Sequence, residues 1–86
     1  MKVEIEITIK LKKGILNPEA GTISRSLLLL GYRNIEYLNT AKIFYITINS
    51  QSEDDAVKTA DEMCRRILAN PVIEDYHINV IKPDTG

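Results

Sequence analysis

Tryptophan is absent from these 86 residues, and phenylalanine, histidine and cysteine occur once each. Each scarcity excludes a class of function. The lone Cys64 has no partner for an internal disulfide and belongs to no multi-cysteine metal site. The lone His77 has no cysteine or second histidine to complete a zinc set. Four glycines, at positions 14, 21, 31 and 86, fit neither spacing of a phosphate-cradling loop. A net charge of −1, without blocks of like sign, is not the footprint of a nucleic-acid binder. The longest apolar run, Leu27 to Leu30, is far too short to span a bilayer, and no apolar leader precedes a cleavage site. The expectation is a soluble cytoplasmic protein with neither a membrane nor a nucleic acid as partner. Its length suits a single domain over 1–82 with a flexible tail at 83–86.

What is present is strong local patterning. Val3, Ile5, Ile7, Ile9 and Leu11 alternate with polar residues, the signature of a strand with one buried face. Gly14 breaks it. Asn17-Pro18-Glu19 then opens a helix: Asn17 caps, Pro18 suits the first turn, and Glu19 favours the positive end of the dipole. Ala20, Ile23, Leu27 and Leu30 share one face of that helix, and Gly31 ends it. Asn34 to Leu38 and Lys42 to Ile48 are β-prone runs that Asn39-Thr40-Ala41 would join as a tight hairpin. Ser52 caps a second helix with an apolar stripe of Ala56, Val57, Ala60, Met63, Cys64, Ile67 and Leu68. Its wet face carries the pairs Asp61–Arg65 and Glu62–Arg66. Pro71 stops this helix, and Tyr76, Ile78 and Val80 alternate in a last strand.

The order strand, helix, strand, strand, helix, strand predicts an α+β fold. Its simplest form is the ferredoxin-like βαββαβ plait, a four-stranded antiparallel sheet with two helices on one face. The third predicted strand is apolar on both sides. Either Ile43 and Tyr45 or Phe44 and Ile46 must face outward, which predicts docking or self-association through part of the sheet.

No catalytic constellation emerges. Cys64 reads as a packed core thiol, His77 as a half-exposed strand residue, and the carboxylates of the second helix as a solvated face. Glu74 and Asp75 flank a structured turn and read as turn residues. Lys12 and Lys13 read as a solubilising strand end rather than an anion site. Paired cysteines for a copper-chaperone plait, a loop arginine for an acylphosphatase and stacking aromatics for an RNA-binding plait are all missing.

The segments Lys12-Lys13-Gly14-Ile15-Leu16-Asn17-Pro18-Glu19, Leu30-Gly31-Tyr32, and Met63-Cys64 leading into Leu68-Ala69-Asn70-Pro71-Val72-Ile73-Glu74-Asp75-Tyr76, together resemble the PurS family. That family supplies the small subunit of phosphoribosylformylglycinamidine (FGAM) synthase, in de novo purine biosynthesis. Many relatives carry aspartate where this chain has Asn17, a swap that preserves helix capping. The resemblance implies a non-catalytic adaptor that is active only as part of an ATP-dependent, glutamine-using C–N ligase. Its partners would be a large amidoligase subunit (PurL type) and a glutaminase subunit (PurQ type), between which ammonia passes. The resemblance also implies a homodimer or higher homo-oligomer, no cofactor or metal on this chain, and ATP or ADP, Mg and glutamine used by the partners. The contact residues it points to are Lys12, Lys13, Gly14, Asn17, Pro18, Tyr32, Asn70, Pro71, Val72, Ile73, Asp75 and Tyr76, because loops serve recognition. Two alternatives remain, an ACT-like small-molecule sensor and a plain oligomeric scaffold for another enzyme.

Overall fold

The computed structural model describes residues 1–81. Three strands and two helices follow one another as β1 (Lys2–Leu11), α1 (Pro18–Leu29), β2 (Lys42–Asn49), α2 (Glu53–Met63) and β3 (Glu74–Ile81). The sheet is antiparallel, with order β2-β1-β3, so β1 is central and the other two strands never touch. Ile5 sits opposite Ile46 and Val80, and Ile7 opposite Phe44 and Ile78. The apolar residues of all three strands therefore share one face.

On that face Val3, Ile5, Ile7 and Ile9 are at most 3% exposed. Fully burying each such side chain is worth about 1.5–3 kcal/mol. Ala56, Ala60 and Cys64 of α2 join them in a single cluster. Small side chains there let the helix lie close over β1 and β3. Ser52 Oγ accepts from the Asp55 amide at 3.1 Å and caps α2.

The apolar stripe of α2 does not continue as its spacing predicts. Cys64–Leu68 forms a π-helical turn, closed by the Ala69 amide donating to the Cys64 carbonyl at 3.0 Å. A wider turn rotates each residue less than an α-turn does. The buried positions after Cys64 consequently move from 67 and 68 to 68 and 69. Ala69 is buried, Leu68 is half-buried, and Ile67 is 82% exposed.

Two features of the expected four-stranded plait are corrected. The sheet has three strands, because residues 32–41 form none and no hairpin turns at 39–41. Moreover, only α2 packs on the sheet; α1 has no substantial packing against any strand or against α2. The cause is local. Gly31, at φ +102°, and Tyr32 close a Schellman motif, their amides donating to the Leu28 and Leu27 carbonyls. The chain then returns extended beside α1, where Ile35 to Leu38 and Ser24, Arg25 and Leu28 face a common cleft. A β-prone run becomes a strand only with a neighbour to pair with, and Asn34–Leu38 has none. α1 and this return segment form an arm beside the sheet. The tail expected at 83–86 lies outside the described residues.

The opposite sheet face is open. It carries the polar residues of β1 together with Ile43 (47% exposed) and Tyr45 (70%), so these two, not Phe44 and Ile46, are the pair that points outward. Replacing Ile7 by Ala should cost about 2–5 kcal/mol. Replacing Ile43 by Thr should stay within about 0.5 kcal/mol. Urea unfolding followed by circular dichroism measures both.

Candidate functional site

Two loops meet at one end of the sheet. β1 ends at Leu11, and the Lys12 amide donates to the Ile73 carbonyl at 2.8 Å. Lys12 Nζ reaches Asp75 Oδ1 at 3.0 Å. The ion pair is largely exposed and contributes little by itself, so the backbone bond is the stronger tie. The 70–73 corner also holds itself together. Asn70 Oδ1 accepts from the Val72 amide, the Asn70 carbonyl accepts from the amides of Ile73 and Glu74, and Glu74 Oε1 accepts from the Asn70 amide at 2.7 Å. Glu74 is thus a turn residue, as its position predicts. Val72 is left 78% exposed and Ile73 half-buried.

The other loop turns on Gly14, whose φ of +87° lies in the region that favours glycine. It exposes Leu16 (83%) and delivers Asn17 to the start of α1. Asn17 Oδ1 accepts from the Ala20 amide at 3.1 Å, the expected cap. Its side-chain amide does more, donating to Asn39 Oδ1 at 2.7 Å and Thr40 Oγ1 at 2.9 Å. Aspartate would keep the cap but could not donate, so Asn17 specifically ties the base of the arm together.

Lys12, Gly14, Asn17, Asn39 and Asp75 from these two loops and the arm's base line a groove of about 680 Å³. Lys10, Lys12, Lys13, Asn17, Asn39 and Asp75 supply its polar rim. Of the residues singled out in the sequence, Lys12, Lys13, Gly14, Asn17 and Asp75 come together here. Asn70, Pro71, Val72 and Ile73 lie on the adjoining corner, and Pro18 begins α1 beside Asn17. Tyr32 sits elsewhere, at the C-terminal end of α1 in the smaller cleft with Arg25 and Arg33. Tyr76 points into the core face opposite Ile9, and its hydroxyl donates to Asp61 Oδ1 at 2.5 Å.

The groove also contains Tyr37, Leu38 and Asn39, which sequence reasoning spends on a strand and its turn. Only the donor capacity of Asn17 hints at their placement. Asp61 likewise gains a second partner, Arg65, whose Nε donates to Oδ2 at 2.8 Å. The Tyr76 hydrogen bond, seconded by Arg65, holds the Asp61 carboxyl below its ordinary range against partial desolvation. The same bond raises the Tyr76 phenol, and burial raises the Cys64 thiol. None of these groups lines the groove. Among the described residues, no cluster of three or more His, Cys, Asp or Glu is placed to hold a metal, and no helix is long and apolar enough to cross a membrane. The groove offers shape, charge and exposed apolar neighbours, which suits contact rather than bond chemistry.

Residues 4–82 match the family described as PurS, phosphoribosylformylglycinamidine (FGAM) synthase. The chain belongs to the PurS family. The PurS subunit of Methanocaldococcus jannaschii is 46% identical over 76 residues, covering 88% of this chain and 92% of that protein. The crystal structure of M. jannaschii PurS superposes with a TM-score of 0.83 at 44% identity, over 98% of this chain and all of that one. It is described as a subunit of formylglycinamide ribonucleotide amidotransferase in the purine biosynthetic pathway. A PurLQS structure from Thermotoga maritima aligns at a TM-score of 0.85 over 94% of this chain and 99% of that one, but at 20% identity it speaks for the fold alone. PurS proteins are subunits of FGAM synthase, and this chain superposes on the two structures at TM-scores of 0.83 and 0.85.

Three outcomes follow from this geometry. Asn17→Ala should lose about 0.5–2 kcal/mol from the missing cap. Asn17→Asp should keep most of that stability yet speed amide exchange at 39–40, read by hydrogen–deuterium exchange. For Asp61, a lowered folded pKa means the stabilisation is fully present above the ordinary carboxylate value. It is lost as pH falls through the lowered one. Tyr76→Phe should therefore shift the Asp61 titration upward, as followed by carboxyl-carbon NMR.

Proposed function

We propose that this chain is the bridging, non-catalytic subunit of a cytoplasmic FGAM synthase, working as a homodimer. It would join a PurL-type amidoligase, which uses ATP and Mg, to a PurQ-type glutaminase, which releases ammonia from glutamine. Ammonia passed between separate active sites must not escape to water, so the relative placement of the two enzymes decides the yield. An adaptor supplies placement rather than chemistry.

The observation that carries this reading is the pairing of the 12–18 loop with the 70–76 corner. Backbone bonds fix both loops, yet Leu16 and Val72 stay exposed beside a charged rim. Rigid loops with apolar tips and polar borders are what recognition by folded partners requires. Family membership supports the same role, as does the description of M. jannaschii PurS as one of the subunits of formylglycinamide ribonucleotide amidotransferase.

Reconstitution tests it. The chain is mixed with both partner subunits, Mg-ADP and glutamine, and synthase activity is assayed with glutamine and, separately, with ammonia. Val72→Asp combined with Leu16→Asp should leave the circular dichroism spectrum intact and the ammonia-dependent rate unchanged. The glutamine-dependent rate should fall at least ~10-fold, the effect of losing roughly 1.4 kcal/mol at an interface. Full glutamine-dependent activity without this chain would sink the bridging reading.

A further inference from the structure

Positive charge gathers at the groove end of a chain whose formal net charge is −1. Lys10, Lys12 and Lys13 all line the groove, against Asp75 as its one carboxylate. Lys12 continues the alternation of β1, so it stands with Lys10 on the open face of the sheet. Lys10 lies directly opposite Asp75 in register, and Lys12 Nζ holds Asp75 Oδ1 at 3.0 Å. Among the described residues the other ion pair is Arg65–Asp61, so Lys10 and Lys13 have no carboxylate partner. Two nearby acids do not supply one: Glu74 is engaged by the Asn70 amide, and Glu19 lies in the adjoining cleft.

Distance keeps this charge from being cancelled. The densest acids, Glu53, Asp54 and Asp55, open α2 just after β2, whose last residue Asn49 pairs with Lys2. The groove lies at the other end of β1, about 30 Å of strand away. Charges so far apart are screened from one another, since the Debye length is about 8 Å at physiological salt. The wall of the groove is also partly apolar. Leu11, Ile15, Tyr37 and Leu38 belong to it, with Tyr37 80% exposed. Its volume of about 680 Å³ is many times the ~30 Å³ share of one water molecule, so a lone inorganic anion would not fill it.

We propose that the groove receives an acidic segment of one partner subunit. Its carboxylates would take Lys10, Lys12 and Lys13, and an apolar side chain between them would rest on Tyr37 and Leu38. The inference rests on the bridging role and adds the chemistry of what docks. Asp75 displays that chemistry in the free chain, where a carboxylate already occupies Lys12. It is therefore also a competitor, which an incoming carboxylate must displace. The lining favours a protein segment over a phosphate group, because it holds no arginine fork and much of its wall is apolar. Opposite charge across an interface steers encounter and fixes register more than it adds affinity. That suits an adaptor, which must seat an enzyme in one orientation.

The test titrates each partner subunit onto the immobilised chain in Mg-ADP and glutamine, read by biolayer interferometry. For one partner, affinity should fall at least ~10-fold between about 50 and about 300 mM NaCl. Lys10→Gln combined with Lys13→Gln alters two exposed, unpaired side chains, so the circular dichroism spectrum should persist. Binding at low salt should weaken about 10-fold and lose most of its salt dependence. Asp75→Asn frees Lys12 and should tighten binding about 3-fold, whereas a merely structural ion pair would make the same change weaken it. About 10 mM inorganic phosphate at fixed ionic strength should leave the affinity unchanged. Competition by phosphate would make the groove a phosphate site and overturn the inference. So would salt-independent binding, a doubly substituted chain that binds as tightly as the wild type, or weaker binding by Asp75→Asn. Those results leave the bridging role standing, whereas a chain that binds neither partner removes both.

Discussion

β1 is paired along both edges, with β2 from Lys2 to Ile9 and with β3 from Glu4 to Leu11. Because β2 and β3 do not touch, each takes its register from β1 alone. A slip of one residue on either side would turn an entire apolar row to solvent. Four inward side chains, Val3, Ile5, Ile7 and Ile9, forbid that slip, since their burial is the largest favourable contribution visible in the fold. The position of α2 follows from the same strand. Its alanines and Cys64 lie where β1 is fully covered, and the π-helical turn brings Ala69 into that cover before the chain turns at Pro71. The Asn70–Ile73 corner is then held by the Lys12 amide, which is the continuation of β1.

Features settled within a few residues were legible in the sequence. Asn17 and Ser52 cap their helices, Gly31 ends α1 at positive φ, and the alternation of the first and last strands matches their burial. What was not legible depends on contacts distant in sequence. Asn34–Leu38 has strand-like residues but no strand, because its neighbour is α1 and not a sheet edge. Ile67 belongs to the helical stripe by spacing, and one wide turn moves it outward. Tyr76 alternates as a strand residue, and the engagement of its hydroxyl with Asp61, fifteen residues earlier, is not visible in that spacing. At the groove, the 12–18 and 70–76 segments were recognisable, whereas Tyr37, Leu38 and Asn39 were hidden by the hairpin reading.

The arm and the groove share their hinge. Gly14 and Asn17 stand at once in the groove wall and at the point where the arm leaves β1. Asn39, the acceptor that closes the arm's base, lines the same groove. Any force that fixes the direction of α1 therefore fixes the shape of the surface around Lys12 and Asp75. A short chain with a modest core can in this way present rigid recognition loops. The cost is an α1 with no substantial packing against its own sheet. A change at Asn17 therefore reaches both the arm and the groove, through hydrogen bonds to Asn39 and Thr40.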